Sequence, residues 1–261
     1  MQHFSACMKL ILAGEHLVLK GYRGLAIPLK QYQTHITTEP AAEFRLITDY
    51  FPEYILGELA NIASDLEIPL PNATYKIVFD IRPGIGLGAS ASFAIASLKA
   101  LTKNQINQDD LIKFANISES RSHGKASGLD HLTIIRQQPT ILNSNISITS
   151  DLSILNNIEI IDTGVPKEST ADMVEISMRN FNETTWENID KNFEPMIDAI
   201  NNNYLNSFRN YINEYGLFLE ELGVVSEKVK AQSKKLREKG FGVKICGAGG
   251  ITNGSGALMI I

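Results

Sequence analysis

A glycine-rich stretch offers the clearest candidate chemistry in this chain. It runs Arg82-Pro-Gly-Ile-Gly-Leu-Gly-Ala-Ser-Ala-Ser-Phe93 and places Gly84, Gly86 and Gly88 at alternate positions. Glycine permits positive φ values and close backbone approach, so such a turn can direct amide N–H groups and the positive end of a helix dipole at an anion. We therefore expect a phosphate group to bind here.

The flanking sequences predict the elements that hold this turn. Residues 74–79 are rich in β-branched and aromatic side chains, which predicts a strand. Beyond Ala89, apolar residues recur at helical spacing, which predicts a helix with one apolar face. They are Ala91, Ala94, Ile95, Leu98 and Leu101. The glycine turn is thus expected at a helix N-terminus.

Strands dominate the first part of the chain and helices the last. Strand-like runs lie at 6–13, 17–19, 25–29, 34–38, 44–48, 140–148, 158–161, 243–246 and 256–261. Helical spacing is found at 54–66, 109–119, 169–180, 186–200, 205–222 and 226–239, and 122–128 is predicted to be a polar loop. An Asn- and Ser-rich patch at 143–157 favours two α+β lobes, at 1–150 and 151–261.

The composition and net charge indicate which general class of protein this is. The chain has 261 residues, of which 44% are apolar and 20% charged, as expected of a globular protein. A net charge of −5 gives no general attraction for nucleic acid or an anionic membrane. Cys7 and Cys246 lie far apart beside apolar runs, which favours reduced thiols over a disulfide or a metal pair. With neither a signal-like N-terminus nor a membrane-length apolar run, we expect a soluble, cytoplasmic protein.

Several phosphate sites use glycine turns. A P-loop is excluded, because its lysine would fall where this turn has Ala89 or Ser90. The spacing Gly84-x-Gly86-x-x-Ala89 fits the glycine fingerprint of dinucleotide-binding folds. That fold also needs an acidic residue about twenty positions further on, at the end of a second strand. Here Asp109 follows a polar stretch instead of a strand. A purely structural turn stays open. The third possibility is a nucleoside-triphosphate site in which a hydroxyl at the helix start reaches Mg²⁺.

Three motifs resemble those of the GHMP kinases, the family of galactose, homoserine, mevalonate and phosphomevalonate kinases. The glycine turn matches the phosphate loop of the family, Lys9-Leu-Ile-Leu-Ala-Gly-Glu-His16 its first motif, and Lys244-x-x-Gly-Ala-Gly-Gly250 its third. The order is right and the matches cover nearly the whole chain. The resemblance implies a two-lobed fold with an N-terminal mixed α/β nucleotide-binding lobe and a C-terminal ferredoxin-like α+β lobe.

Within the family, the chain looks most like mevalonate kinases. Gly-Glu-His at 14–16, the pattern from Glu119 to Asp130 and the stretch 162–170 carry this likeness. It implies an ATP- and Mg²⁺-dependent kinase acting on the 5-hydroxyl of mevalonate or a similar small alcohol. The alternatives that stay open are phosphomevalonate kinase, another GHMP small-molecule kinase, and a non-catalytic nucleotide-binding relative, and a homodimer is possible.

The resemblance also implies roles for individual residues. Asp130 would take the proton of the substrate hydroxyl beside Lys9, and Ser90 and Glu119 would ligate Mg²⁺. The ATP-binding residues would be Pro83, Gly84, Gly86, Leu87, Gly88, Ala89, Ser90 and Ala91. The substrate-binding residues would be Glu15, His16, Thr170, Gly247, Ala248 and Gly249, with Ser169 beside Thr170.

Four departures from the family pattern stand out. Ala89 replaces a serine that many relatives carry, and His131 stands where asparagine is common. Residues 251–253, Ile-Thr-Asn, interrupt the third glycine run. The chain also stops at the strand after that motif, where relatives commonly continue, so we expect a trimmed C-terminal lobe. Three consequences stay open, namely a lower stability, a sheet edge open to a dimer partner, or a repurposed member of the family.

Overall fold

A computed structural model of the protein describes residues 1–123, 127–148 and 152–261. These residues form two compact units. Unit 1 comprises Met1–Lys9, Ile27–Pro83 and Gly88–Thr140, and unit 2 comprises Leu10–Ala26, Gly84–Leu87 and Ile141–Ile261. The predicted lobes, 1–150 and 151–261, are contiguous whereas these units are not, and that division stays a prediction. The predicted loop at 122–128 and the patch at 143–157 lie partly outside the described residues.

The larger sheet is built from five strands. They are β1 (Gln2–Ala13), β2 (Gly24–Pro40), β3 (Arg45–Thr48), β4 (Ala73–Phe79) and β5 (Thr140–Leu142). The order is β1-β2-β4-β3, with β5 paired to β2 outside that path. In unit 1, β2 and β4 run antiparallel with Ile36 opposite Ile77, and β3 runs parallel to β4. Both isoleucines are buried, which fixes the register of the pair.

Four α-helices of the described part of the chain belong to unit 1. They are α1 (Pro52–Asp65), α2 (Ala89–Leu101), α3 (Gln108–His123) and α4 (Leu129–Arg136). Ten of the thirteen residues of α2 are buried, so the expected single apolar face is instead a helix buried nearly all round. This burial fixes the start of α2, and with it the end of the glycine turn, against the core of unit 1.

Within the described residues, unit 2 has a smaller sheet and five α-helices. Its antiparallel strands lie in the order β6-β8-β7, where β6 is Glu159–Asp162, β7 is Val243–Ile245 and β8 is Ala257–Ile260. The helices are α5 (Thr170–Arg179), α6 (Glu183–Lys191), α7 (Phe193–Asn201), α8 (Leu205–Glu221) and α9 (Glu227–Glu238). Trp186 is fully buried and makes T-shaped ring contacts with Phe181 and Phe218, which anchors α6 in the core.

Some predicted elements were wrong. Residues 17–20 form a 3-10 helix instead of a strand, and the single helix expected at 186–200 is broken at Asn192, which ends α6 and begins α7. The strand expected at 140–148 is only three residues long, and α4 was not predicted. Within the described part of the chain, no helix is long and apolar enough to span a membrane.

Candidate active site

The glycine turn, residues 83–88, has alternate left-handed glycines. Gly84, Gly86 and Gly88 have φ values of 86°, 89° and 76°. Gly88 is the N-cap of α2, and the first helical hydrogen bond runs from the Ser92 amide to the Gly88 carbonyl, at 2.9 Å. The amides that precede Ser92 in this first turn have no intrahelical acceptor, so they are available to an anion.

In unit 1, Lys9 lies directly beside Gly88. A Cβ on Gly88 would come within 2.8 Å of the Lys9 side chain, so only glycine lets the lysine pass the start of α2. Lys9 lies on β1, is 2% exposed, and places its Nζ 3.0 Å from Oδ2 of Asp130. Asp130 lies in the first turn of α4, where the helix dipole also favours a carboxylate. A buried ammonium, a partly exposed carboxylate and a helix N-terminus thus occur together.

Ser90 and Glu119, the predicted metal ligands, each contact a side chain that could orient them. The Ser90 hydroxyl lies 3.1 Å from the Tyr54 hydroxyl, and the Glu119 carboxylate makes a short contact with Nδ1 of buried His131. Both candidate ligands are oxygen donors, which suits Mg²⁺. Among the described residues there is no group of three or more His, Cys, Asp or Glu side chains that could hold a metal ion.

The buried carboxylate of Glu58 fixes α3, the helix that carries Glu119. Glu58 of α1 is 5% exposed and accepts hydrogen bonds from the Ser118 hydroxyl at 2.7 Å and from Arg121 at 2.9 Å. Arg121 also contacts Asp65, the last residue of α1. The residues of α3 on either side of Glu119 in sequence, Ser118 and Arg121, thus hold this helix to α1.

In unit 2, a buried ion pair holds the turn that follows β1. Glu15 and Lys244 of β7 make a short salt bridge with side chains 1% and 0% exposed, and the lysine also donates to the Ile11 carbonyl at 3.0 Å. Tyr215 of α8 accepts from the Gly14 amide at 2.8 Å and donates to the Glu15 carbonyl at 3.0 Å. Burial, then the nearby Glu15, raises the pKa of Tyr215 well above 10, so its hydroxyl stays neutral.

His16 is held in an unusual conformation in the same turn. Its φ is 65° and its ψ is −42°, a positive-φ conformation outside the αL region that residues with a side chain rarely adopt, and it is 5% exposed. Its Nε2 lies 3.2 Å from the Ala248 carbonyl, which can only accept, so Nε2 carries the proton. Burial lowers the pKa of His16 to about 4. The ring is therefore neutral, and its Nδ1 has no hydrogen-bond partner among the described residues.

Two glycine-rich segments contact each other within unit 2. A Cβ on Gly86 would lie 2.2 Å from the Cys246 carbonyl, and one on Gly247 would lie 2.7 Å from the Gly86 Cα. Beside them is a cavity of about 250 Å³. It is lined by Gly84, Ile85, Gly86, Val165, Pro166, Glu168, Ser169, Thr170, Cys246, Ala248, Gly249, Ser255 and Gly256.

The predicted site residues fall into two groups. Unit 1 contains Lys9, Pro83, Gly88, Ala89, Ser90, Ala91, Glu119 and Asp130, and unit 2 contains Glu15, His16, Gly84, Gly86, Leu87, Thr170, Gly247, Ala248 and Gly249. In unit 1 the structure joins Lys9 to Asp130, and in unit 2 it joins His16 to Ala248. Ser169 caps α5 by accepting from the Asp172 amide, which leaves Thr170 exposed at the first helical position.

Three residues contact predicted site residues although the sequence analysis assigned them no role. Lys244 belonged to the third motif without an assigned partner, and its ion pair with Glu15 spans 229 residues. Tyr215 is one of several aromatic residues on α8 and gave no signal. His131 was noted only as a departure from the family pattern, and the structure places it on Glu119.

The sequence and the fold were compared with those of known proteins. Residues 53–137 match the family model of the GHMP kinases N terminal domain. No curated protein sequence matches the chain. Solved structures of this fold match nearly the whole chain and confirm the predicted fold class. The family model covers residues 53–137, and the solved structures show that the fold of the chain is that of mevalonate kinases.

Individual structures define the likeness further. Mevalonate kinase from Methanococcus jannaschii has a TM-score of 0.77 at 23% identity, covering 99% of this chain and 89% of that chain. L. major mevalonate kinase, in complex with R-mevalonate, has 0.75 at 19% identity, covering 100% and 86%. Phosphomevalonate kinase from Streptococcus pneumoniae has 0.74 at 16% identity, covering 100% and 91%. Identities this low show the fold and leave the substrate open.

Proposed function

We propose that this protein is an ATP- and Mg²⁺-dependent kinase that phosphorylates the 5-hydroxyl of mevalonate. The observation that carries the proposal is the ion pair between Lys9 and Asp130, beside the left-handed Gly88 at the start of α2. It puts a carboxylate and a buried ammonium next to a helix N-terminus suited to phosphate. Phosphoryl transfer needs mainly this positioning and charge stabilisation.

The proposed step starts at the substrate hydroxyl. Its oxygen attacks the γ-phosphorus of ATP, the bond from that phosphorus to the oxygen of ADP breaks, and the hydroxyl proton passes to Asp130. The ammonium of Lys9, 3.0 Å from that carboxylate, would stabilise the negative charge that develops during the transfer. The first amides of α2 and residues 83–91 would hold the phosphates of ATP.

The remaining predicted residues have supporting roles in this proposal. Mg²⁺ would be held by Ser90 and Glu119 and would neutralise charge on the phosphates of ATP. Neutral His16 presents Nδ1 as a hydrogen-bond acceptor and therefore suits a substrate hydroxyl as donor. Glu15, Thr170 and residues 247–249 would bind the rest of the substrate. Cytoplasmic location and a homodimer remain part of the proposal.

Phosphomevalonate kinase is the second candidate. The solved phosphomevalonate kinase matches this fold with a TM-score of 0.74, nearly as high as the 0.77 of mevalonate kinase. The two differ in acceptor, since one phosphorylates an alcohol and the other a phosphate monoester. An acceptor panel therefore separates them.

The test follows ADP formation with mevalonate, phosphomevalonate, galactose or homoserine, with and without Mg²⁺. We expect Mg²⁺-dependent turnover with mevalonate. Asp130→Asn should lower kcat by about 100-fold or more while ATP affinity stays unchanged, because a positioned proton acceptor is lost. Asp109→Asn is the matched control, since Asp109 is an exposed carboxylate in the first turn of α3. No turnover of any acceptor despite ATP binding would refute a kinase, and preference for phosphomevalonate would refute only the substrate.

A further inference from the structure

The interruption of the third glycine run has a specific partner in the structure. Glu168 accepts hydrogen bonds through Oε2 from the backbone amides of Ile251 and Thr252, each at 3.2 Å, and its Oε1 makes a short contact with the Thr252 hydroxyl. Three donors of one short segment thus converge on one carboxylate. We call this arrangement the Glu168 clamp.

Neighbouring backbone contacts leave the two segments joined by the clamp little freedom. A Cβ on Gly250 would lie 2.3 Å from Cβ of Pro166, and one on Gly254 would lie 2.4 Å from the Thr163 carbonyl. The Ser255 amide also donates to the Thr163 hydroxyl at 3.1 Å. Residues 163–168 and 250–255 are therefore in contact at Thr163, at Pro166 and at Glu168, and Glu168 supplies the ionised contact between them.

The charge state of Glu168 agrees with this geometry. Burial on its own would raise the pKa of the carboxyl, but the hydrogen bonds from Thr252 and from the amides outweigh it, so the pKa is lowered. The carboxylate form is the one that accepts all three donors. A charged acceptor makes stronger hydrogen bonds than a neutral one, so the clamp is tightest when Glu168 is ionised.

The clamp joins two walls of the 250 Å³ cavity. Glu168 leads directly into Ser169 and Thr170 on one wall, and the segment it holds follows Gly249 on the other. A shift of Glu168 would change the separation of these walls. The cavity is small enough for a metabolite of a few carbon atoms, for which a displacement of an ångström matters.

We propose that Glu168 is a positioning residue that sets the width of this cavity for a small acceptor alcohol. This inference rests on the proposed kinase function. Glu168 contributes through residues 251–252 and Thr170, so its removal weakens binding of the acceptor and leaves the transfer step nearly unchanged.

The test compares Glu168→Ala, Glu168→Gln and Thr252→Val with the native chain. We expect Glu168→Ala to raise KM for mevalonate about tenfold with kcat within about twofold, because uniform binding is lost. Glu168→Gln keeps one carbonyl acceptor and should give an intermediate KM, and Thr252→Val should give a smaller rise. Glu175→Gln is the control, since this exposed carboxylate pairs with Arg179 on α5 away from the cavity.

A second measurement does not depend on activity. Hydrogen exchange of the Ile251 and Thr252 amides should speed up about tenfold in Glu168→Ala relative to both the native chain and Glu175→Gln. Unchanged exchange, or an unchanged KM in a native-like Glu168→Gln or Thr252→Val variant, would overturn the inference. If the native chain phosphorylates none of the acceptors, the proposed function fails, whereas the exchange result still decides whether the clamp exists.

Discussion

His16 makes a prediction about stability that can be worked out from the structure. Burial lowers its pKa from the ordinary value of 6.5 to about 4, so between these pH values the unfolded chain binds a proton that the folded chain refuses. Above pH 6.5 the titration of His16 therefore costs the folded state nothing. As the pH falls from 6.5 towards 4, the free energy of unfolding decreases. The gap between the two pKa values corresponds to about 3 kcal/mol.

The matched variant is His16→Asn. Asparagine, like histidine, is among the residues other than glycine that occur most often at positive φ, the sign His16 has at φ 65°, and asparagine does not titrate. Urea denaturation of both proteins from pH 7.5 to pH 4 would give the free energy of unfolding at each pH. The native chain should lose about 3 kcal/mol more than the variant over this range. Two parallel pH profiles would refute the reasoning, because the other titrating groups are common to both proteins.

Three further variants test the turn after β1 and the start of α2. Lys244→Met should lower the free energy of unfolding by about 3–5 kcal/mol in urea denaturation. Adding Glu15→Leu should recover much of this loss, because the buried carboxylate whose ammonium partner was removed is then removed as well, and a double variant no better than the single one would contradict this. Gly88→Ala should lower both Tm and kcat, since its Cβ would lie 2.8 Å from the Lys9 side chain at a left-handed φ, and a native-like Tm and kcat would count against that contact. Tyr215→Phe should cost about 1–3 kcal/mol in the same denaturation assay, because two buried backbone groups lose their partner, and an unchanged midpoint would exclude that role.

In unit 1, the sequence predicted the candidate site residues better than the side chains that contact them. The motifs singled out Lys9 and Asp130, and the structure joins them at 3.0 Å. The partners Tyr54 and His131 could not be predicted, because each contact joins residues from different helices and neither has a spacing signal. The roles assigned to these residues and to the glycine turn stay predictions until activity is measured.

In the fold, long periodic segments were predicted well and short ones were not. The helices α8 and α9 were predicted within about a residue or two because apolar spacing repeats over several turns. Leu17, Val18 and Leu19 are too few to distinguish a strand from a helical turn, and the positive-φ residues His16 and Gly21 on either side set the 3-10 turn. Asn192 interrupts an otherwise continuous apolar pattern, which periodicity alone did not detect.

The interleaved order of the two units has a consequence for how this chain folds. Leu10–Ala26 and Gly84–Leu87 belong to unit 2 although unit 1 surrounds them in sequence. The ion pair of Glu15 with Lys244 closes a loop of 229 residues, a contact that is expensive in chain entropy until other structure has formed. During synthesis, the ion pair of Glu15 with Lys244 therefore cannot form until β7 has been made. A fragment that ends before β7 lacks that ion pair and should favour chaperone-bound or aggregated species over an independently folded domain.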